Sequence, residues 1–300
     1  HSDWSYPYLH YSYSIVAAVL PVYLPGRRTL AACTGLCDTL QRPDGRVVMT
    51  DTVIYRREGR VGRLMLNIPE RHNALGREQL VAIQQHLAAV ANDHQVRVLV
   101  LTGAGNRTFC AGASLQELGA GEIGGDCFRA TTAQLGSLAI PTICALNGNV
   151  FGAGVELALS CDFRLGVEGS RMRVPAAAIG ICYPSSGVQR LVQGLGVSLA
   201  RRILLAAEEF DSQAMLDMGF LDYLVLPGRF ADATDELAGK IAGLAPLAVR
   251  SMKNILGQVL DGSVDEDEVK ELADLCAHSE DFKEGLAAQR EKREPRFTGD

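Results

Sequence analysis

Apolar and polar positions settle into a regular rhythm only from Val53 onward. Residues 53–57 and 61–68 alternate closely enough to form two strands, with Glu58, Gly59 and Arg60 as the hairpin turn between them. Over 76–92 the apolar residues Leu80, Ile83, Leu87 and Val90 recur at helical spacing. Residues 96–101 are an unbroken run of valine and leucine around Arg97, the mark of a buried strand. Shorter strands are predicted at 142–146 and 163–167, and helices at 111–118, 127–139, 153–160 and 187–194. Strands alternating with helices indicate an α/β core with parallel pairings. Beyond about residue 225 only helical spacing remains, over 230–244, 247–260, 264–277 and 281–292. The chain thus divides into a core at 49–228 and a helical region at 229–300, the latter a cap or an assembly element.

Composition narrows the function. With 47% hydrophobic and 21% charged residues, the 300-residue chain can fill a sizeable core. A net charge of -6 argues against nucleic acid, whose affinity comes from Lys and Arg on phosphates. The charge run from Lys283 to Arg296 mixes signs and reads as a solvated helix face. The eight cysteines are scattered. Cys110, Cys144, Cys161 and Cys182 sit among apolar or small residues, as free buried thiols of a reducing compartment do. No metal-ligand spacing is present, so no metal is expected.

Residues 1–48 do not resemble the rest. Tyr6, Tyr8, Tyr11 and Tyr13 precede an apolar run, 15–20, that is too short to span a bilayer and lacks a basic segment before it. No membrane association is expected. Met49 reads as a natural start, which makes 1–48 a leader or cloning-derived segment outside the fold. The expected address is the cytoplasm, or the mitochondrial matrix if Arg27 and Arg28 belong to a transit segment.

Two glycine-containing turns carry the candidate chemistry. One runs from Thr102 to Leu118 and is expected to enter a helix at Ala113; the other runs from Asn147 to Leu157 and enters a helix at about Ala153. Backbone N–H groups at a helix start are unpaired and favour negative charge. Two of them converging on one point would form an oxyanion hole. Taken singly, each turn is also an ordinary feature of α/β folds. Neither spells the dinucleotide fingerprint.

Together with other segments, these turns resemble the crotonase (enoyl-CoA hydratase/isomerase) superfamily. The matching residues include Asn67, Pro69, Asn73, Ala74 and Leu75 in one loop, then Phe109 to Ala113, Asn147-Gly148, Gly152 to Glu156, and Cys161-Asp162. They continue through Gly194 to Gly196, Ser212 to Ala214 with Gly219, and Ser279 to Asp281. Glu284-Gly285 and Lys292 to Phe297 complete the series. The resemblance covers about residues 52–297.

It implies an α/β fold of crotonase type, a spiral of ββα units followed by a C-terminal helical trimerisation region, with homotrimers stacked as hexamers. It implies an acyl-CoA substrate, coenzyme A entering as part of that substrate, and no separate cofactor. The oxyanion donors would be the N–H groups of Ala113 and Ala153, and Glu156 a catalytic acid/base. Arg71, Asn73, Ala74, Leu75, Ala111, Gly112, Ser114, Leu115, Gln116 and Gly152 would line the coenzyme A and substrate path. Arg71 would meet a phosphate or simply be solvated.

Three departures complicate the activity. The family's second glutamate is replaced by Ala176, which removes one of the two carboxyls that activate water in hydration. Ser114 stands where aspartate is usual, and Ala153 where glycine is usual. Tyr183 resembles the tyrosine with which methylmalonyl-CoA decarboxylases hold a departing carboxylate. Hydratase/isomerase-type chemistry with a single glutamate is the leading expectation. Decarboxylation of a malonyl- or methylmalonyl-type CoA, with Glu156 and Tyr183 catalytic, is the alternative, and a catalytically weak CoA-binding protein is a third.

Overall fold

A computed structural model describes residues 51–121 and 125–300 of the chain. The expected leader, 1–48, lies outside the described residues. The strands, in chain order, are β1 (Val53–Glu58), β2 (Val61–Leu66), β3 (Val98–Gly103), β4 (Thr108–Cys110) and β5 (Thr142–Leu146), then β6 (Asn149–Phe151), β7 (Phe163–Val167), β8 (Arg171–Arg173), β9 (Glu209–Asp211) and β10 (Tyr223–Val225). Between them lie helices α1 (Arg77–Ala91), α2 (Leu115–Gly119), α3 (Gly125–Gly136), α4 (Ala153–Leu159), α5 (Ser185–Leu205) and α6 (Ser212–Asp217). Four more helices close the chain: α7 (Phe230–Ala242), α8 (Pro246–Asp261), α9 (Glu266–Ala277) and α10 (Glu280–Glu291).

Two sheets result. The larger has the order β1-β2-β3-β5-β7-β10, with an antiparallel hairpin at one edge and parallel pairing across the rest. The smaller has the order β4-β6-β8-β9, parallel except for β9. The predicted parallel pairing is therefore present. Alternation along β3 and β5 explains their continuous apolar sequence. Leu99, Leu101, Cys144 and Leu146 face the main core, whereas Val98, Val100, Ile143 and Ala145 face Ala238, Ile241 and Ala242 of α7. Both faces of the sheet are covered, so neither can carry a polar stripe.

Differences from the sequence pattern have local causes. β4, β6, β8, β9 and β10 are three residues each, too short to show a period. The buried strand runs over Val98–Gly103 because Val96 closes a turn, its N–H bonding Asp93 O at 3.0 Å. α5 is longer than expected, and Gly196, at φ 80° and ψ 159°, breaks it. Cys182 is exposed rather than buried, while Cys110, Cys144 and Cys161 are buried free thiols.

One polar junction ties the terminal helices to the sheet. Asp162 Oδ2 accepts from Thr142 N at 2.7 Å, from Thr142 Oγ1 at 2.9 Å and from Lys253 Nζ at 2.6 Å. Lys253 also donates to Ile140 O at 2.8 Å, so α8 is fastened at the entry of β5. Among the described residues, no helix is long and apolar enough to cross a membrane.

Leu101 is 1% exposed at the centre of the larger sheet. Leu101→Ala should destabilise the fold by about 2–5 kcal/mol, the usual cost of the lost burial plus a cavity. Urea unfolding followed by circular dichroism measures it; a loss below about 1 kcal/mol would mean that β3 is not core.

Candidate active site

The first turn is built by two asparagines. Asn73 adopts φ 54° and is buried. Its Oδ1 accepts from Ile68 N at 3.0 Å, and its Nδ2 donates to Ala104 O at 3.0 Å and Thr108 O at 2.9 Å. Asn147 Oδ1 accepts from Gly103 N at 3.1 Å, and Asn147 Nδ2 donates to Gly105 O at 2.8 Å. The Asn73 amide is thus spent on backbone.

Residues 111–114 then run beside residues 72–75. Ala111 N bonds His72 O at 3.0 Å, Leu75 N bonds Gly112 O at 2.8 Å, and Ser114 N bonds Leu75 O at 2.8 Å. The expected helix start at Ala113 is corrected by this pairing: α2 begins at Leu115, with Ser114 as its N-cap accepting from Glu117 N. Gly112 N donates to Cys110 Sγ at 3.4 Å, and the N–H of Ala113, the residue bridged to Leu75, has no partner among the described residues.

The second turn leaves β6 at Gly152, whose φ of 52° and ψ of -123° suit only glycine. α4 starts at Ala153 as expected, and its first N–H is one of the unpaired helix-start donors. The two turns touch. A Cβ on Gly112 (φ 91°) would lie 2.8 Å from Phe151 O and 2.9 Å from Ala153 N. Reciprocally, a Cβ on Gly154 would lie 2.9 Å from Cys110 Cβ and 2.9 Å from Cys110 O. The backbone at Gly112, one residue before Ala113, is therefore in direct contact with the start of α4 at Ala153. Burial pushes the Cys110 thiol up to about 12, so it packs as a neutral group.

Glu156 follows in the first turn of α4, 2% exposed. The start of α5 packs on it: a Cβ on Gly187 would lie 2.5 Å from Glu156 Oε2 and would overlap the Tyr183 ring. Tyr183 and Glu156, singled out separately in the sequence, are thus brought together. Burial raises the Glu156 carboxyl above its usual range, opposed first by the Arg190 cation and then by the hydroxyls of Tyr183 and Thr132. Burial, reinforced by the Glu156 charge, likewise raises the Tyr183 phenol. The two groups face each other, although neither Glu156 Oε1 nor the Tyr183 hydroxyl completes a hydrogen bond among the described residues. Ala176 is buried in the main apolar cluster, against which Tyr183 also packs.

Near the surface, Arg71 Nη2 donates to Ser114 Oγ at 3.1 Å and lies 3.9 Å from Glu117 Oε1. Glu117 Oε2 accepts from Arg77 N at 2.9 Å. Glu117 is thus the acidic neighbour of Arg71. Leu115 and Gln116 are exposed beside the turn, Leu75 is buried, and Ala74 and Ala111 are half-buried. Thr132, Gly187 and Arg190 escaped sequence reasoning, because only the folded packing of α3 and α5 on α4 brings them to Glu156. The three-residue spacing of Gly187 and Arg190 on a helix was the one available signal.

Paired free N–H donors beside a buried carboxyl suit stabilisation of a developing oxyanion with proton transfer at a neighbouring atom. Comparison with known proteins agrees. Residues 56–300 match the enoyl-CoA hydratase/isomerase family model. The chain belongs to the enoyl-CoA hydratase/isomerase family. It is 30% identical over 254 residues to the short-chain-enoyl-CoA hydratase of Clostridium acetobutylicum, covering 81% of this chain and 96% of that protein. With the 2,3-dehydroadipyl-CoA hydratase of Escherichia coli, identity is 33% over 252 residues, covering 82% and 98%. A crystal structure of an enoyl-CoA hydratase/carnitine racemase from Magnetospirillum magneticum superposes with a TM-score of 0.79 at 27% identity, covering 84% of this chain and 97% of that one. The fold is the crotonase fold, and the protein is an acyl-CoA enzyme of hydratase/isomerase type.

The contact between the turns makes Gly112 intolerant. Gly112→Ala should lower stability by about 1–3 kcal/mol from the left-handed backbone alone, with the overlap on Ala153 adding to that. Gly119→Ala, where a Cβ meets nothing within 4 Å, should be neutral or slightly stabilising. Thermal melts of both variants decide this; equal melting points would refute the tight contact.

Proposed function

We propose that this enzyme moves a proton at the carbon beside the thioester of an enoyl-CoA, in hydration or double-bond isomerisation, with one glutamate doing the work. The observation that carries this is the pair of unpartnered N–H groups, Ala113 and Ala153, held together through Gly112 with buried Glu156 three residues further on. The thioester oxygen would accept from both N–H groups, and the charge that builds on it in the enolate would strengthen those bonds. Glu156, its carboxyl raised by burial, is suited to take the proton and return it. Coenzyme A is then bound as part of the substrate, without a separate cofactor. Residues 71–75, 111–116 and 152 would line its path, with Arg71 at the exposed end.

Isomerisation asks only that one carboxyl remove and redeliver a proton. Hydration asks also for an oriented water, and Ala176 provides no carboxyl for it. One observation favours a second reading: the Tyr183 hydroxyl is buried beside Glu156 and completes no hydrogen bond among the described residues. It would suit the carboxylate of a malonyl- or methylmalonyl-type CoA that leaves as carbon dioxide.

Glu156→Gln should keep the fold and CoA affinity and lower turnover by about two to four orders of magnitude. Stopped assays on crotonyl-CoA, a 3-enoyl-CoA and methylmalonyl-CoA, beside calorimetry with CoA, give the answer. Unchanged turnover would make Glu156 structural, and binding without turnover on every substrate would leave a CoA-binding protein. Tyr183→Phe should spare isomerisation and impair decarboxylation; Ala176→Glu should raise crotonyl-CoA hydration.

Assembly as a homotrimer or hexamer is the accompanying expectation. On α8, Met252, Leu256, Val259 and Leu260 are exposed on one helix face, and Phe282 and Leu286 repeat the pattern on α10. Light scattering at micromolar concentration should give at least three times the chain mass. A folded monomer would refute it.

A further inference from the structure

We infer that Glu117 is a positioning residue for the Ala113 donor, a carboxylate that clamps the short helix α2 onto the start of α1 and so fixes the strip of backbone that carries that N–H. The inference rests on the reading of Ala113 as half of the oxyanion hole. Helix α2 has little apolar packing to hold it. None of its five residues is buried, and Leu115 and Gln116 are exposed. Helix α1, by contrast, is anchored by Leu80, Ile83, Leu87 and Val90 in the main core. A polar contact from α2 to α1 therefore ties the weaker element to the firmer one.

The clamp is built around a glycine. Gly76 is the N-cap of α1 and has no side chain with which to satisfy the helix-start N–H groups. Its own N–H donates to Gln79 Oε1 at 2.9 Å, and the next, Arg77 N, donates to Glu117 Oε2 at 2.9 Å. A carboxylate at this end of a helix also meets the favourable end of the macrodipole. It lies so close that a Cβ on Gly76 would overlap Glu117 Oε1 and lie 2.7 Å from the carboxyl carbon. With φ -97° and ψ -179°, the backbone at Gly76 is extended and open to any residue. Glycine is required there by the carboxyl and not by the turn.

From the clamp back to Ala113 the path is short and continuous. Glu117 N donates to Ser114 Oγ at 3.4 Å, and Ser114 Oγ also accepts from Arg71 Nη2 at 3.1 Å. Ser114 N bonds Leu75 O and Leu75 N bonds Gly112 O, both at 2.8 Å, so Leu75, the residue before Gly76, brackets Ala113. Residues 75–77 thus hold residues 112–117 at two places, by backbone at Leu75 and by the carboxylate at Arg77. Without the carboxylate, the strip is held to α1 by Leu75 alone. A donor aimed at a developing charge loses its effect with small displacements.

The experiment reads turnover and the thioester carbonyl together. Butyryl-CoA, saturated and isotope-labelled at its carbonyl carbon, serves as the unreactive probe, because hydrogen bonds from the hole weaken the C=O bond and lower its infrared frequency. Glu117→Ala should lower kcat on crotonyl-CoA or a 3-enoyl-CoA about 10-fold or more, with KM within about threefold, and move the carbonyl band back toward that of free butyryl-CoA. Glu117→Gln, whose Oε1 can still accept from Arg77 N, should retain most of both. Gly76→Ala displaces the carboxyl without changing it; it should reproduce the loss, and adding it to Glu117→Ala should cost little more. Glu78→Gln, in the same first turn but bonded to Thr52 Oγ1, controls for charge at the helix end and should leave both readings unchanged. Gly76→Ala carries the test if circular dichroism shows Glu117→Ala unfolded. A lowered melting point with kcat and the band unmoved makes Glu117 a helix cap only and overturns the inference, as does an equal effect of Glu78→Gln. An unshifted band in the wild type would instead sink the oxyanion-hole reading, and the inference with it.

Discussion

The site depends on one close approach, backbone against backbone, between the turn at Gly112 and the turn at Gly152. The parallel pairing of β4 with β6 brings the two turns abreast, with Thr108 opposite Asn149 and Cys110 opposite Val150. Glycine at 112 and 154 then lets the chains meet at van der Waals distance, where any side chain would wedge them apart. Nothing larger than a hydrogen fits between the two turns at these positions. The two asparagines behind them, Asn73 and Asn147, serve the same end by satisfying loop carbonyls and amides that would otherwise be stranded.

Against this rigid backbone, Glu156 is an electrostatic compromise. A carboxyl nearly removed from water resists ionisation, and the neighbours that offset this come from different elements: Arg190 from α5, Tyr183 from the segment before it and Thr132 from α3. Their mutual arrangement explains why Gly187 carries no side chain. The carboxylate and the phenol ring both occupy the space a Cβ would need. Ala176 lies in the buried apolar cluster against which Tyr183 also packs, so the phenol ring has an apolar neighbourhood of low local dielectric.

Much of the fold was legible because its signals are local. The hairpin of β1 and β2, the apolar run of β3 and the helical spacing of α1 and α7 to α10 all follow from the side-chain period of one element. The two glycine turns were visible in the string of residues, whereas Ala113, Ala153, Glu156 and Tyr183 were singled out by the resemblance to the crotonase superfamily. The rest was hidden for a physical reason. The N–H of Ala113 is free through strand-like pairing with residues 72–75, and nothing near it in sequence distinguishes that from a helix start. Likewise Thr132, Gly187 and Arg190 reach Glu156 by packing across 24 to 34 positions, a relation no periodicity encodes.

The Asp162 junction gives the C-terminal helices a mechanical bearing on the site. Thr142 opens β5, the strand that ends one residue before Asn147, and Asp162 closes the loop between α4 and β7. From α8, Lys253 donates to Asp162 Oδ2 and to Ile140 O, two residues before β5. Load applied to the outer face of α8 therefore arrives at the two ends of the segment that holds the second turn. Through Lys253, α8 is tied as a brace is tied to a beam, near both ends of the segment that carries Ala153 and Glu156.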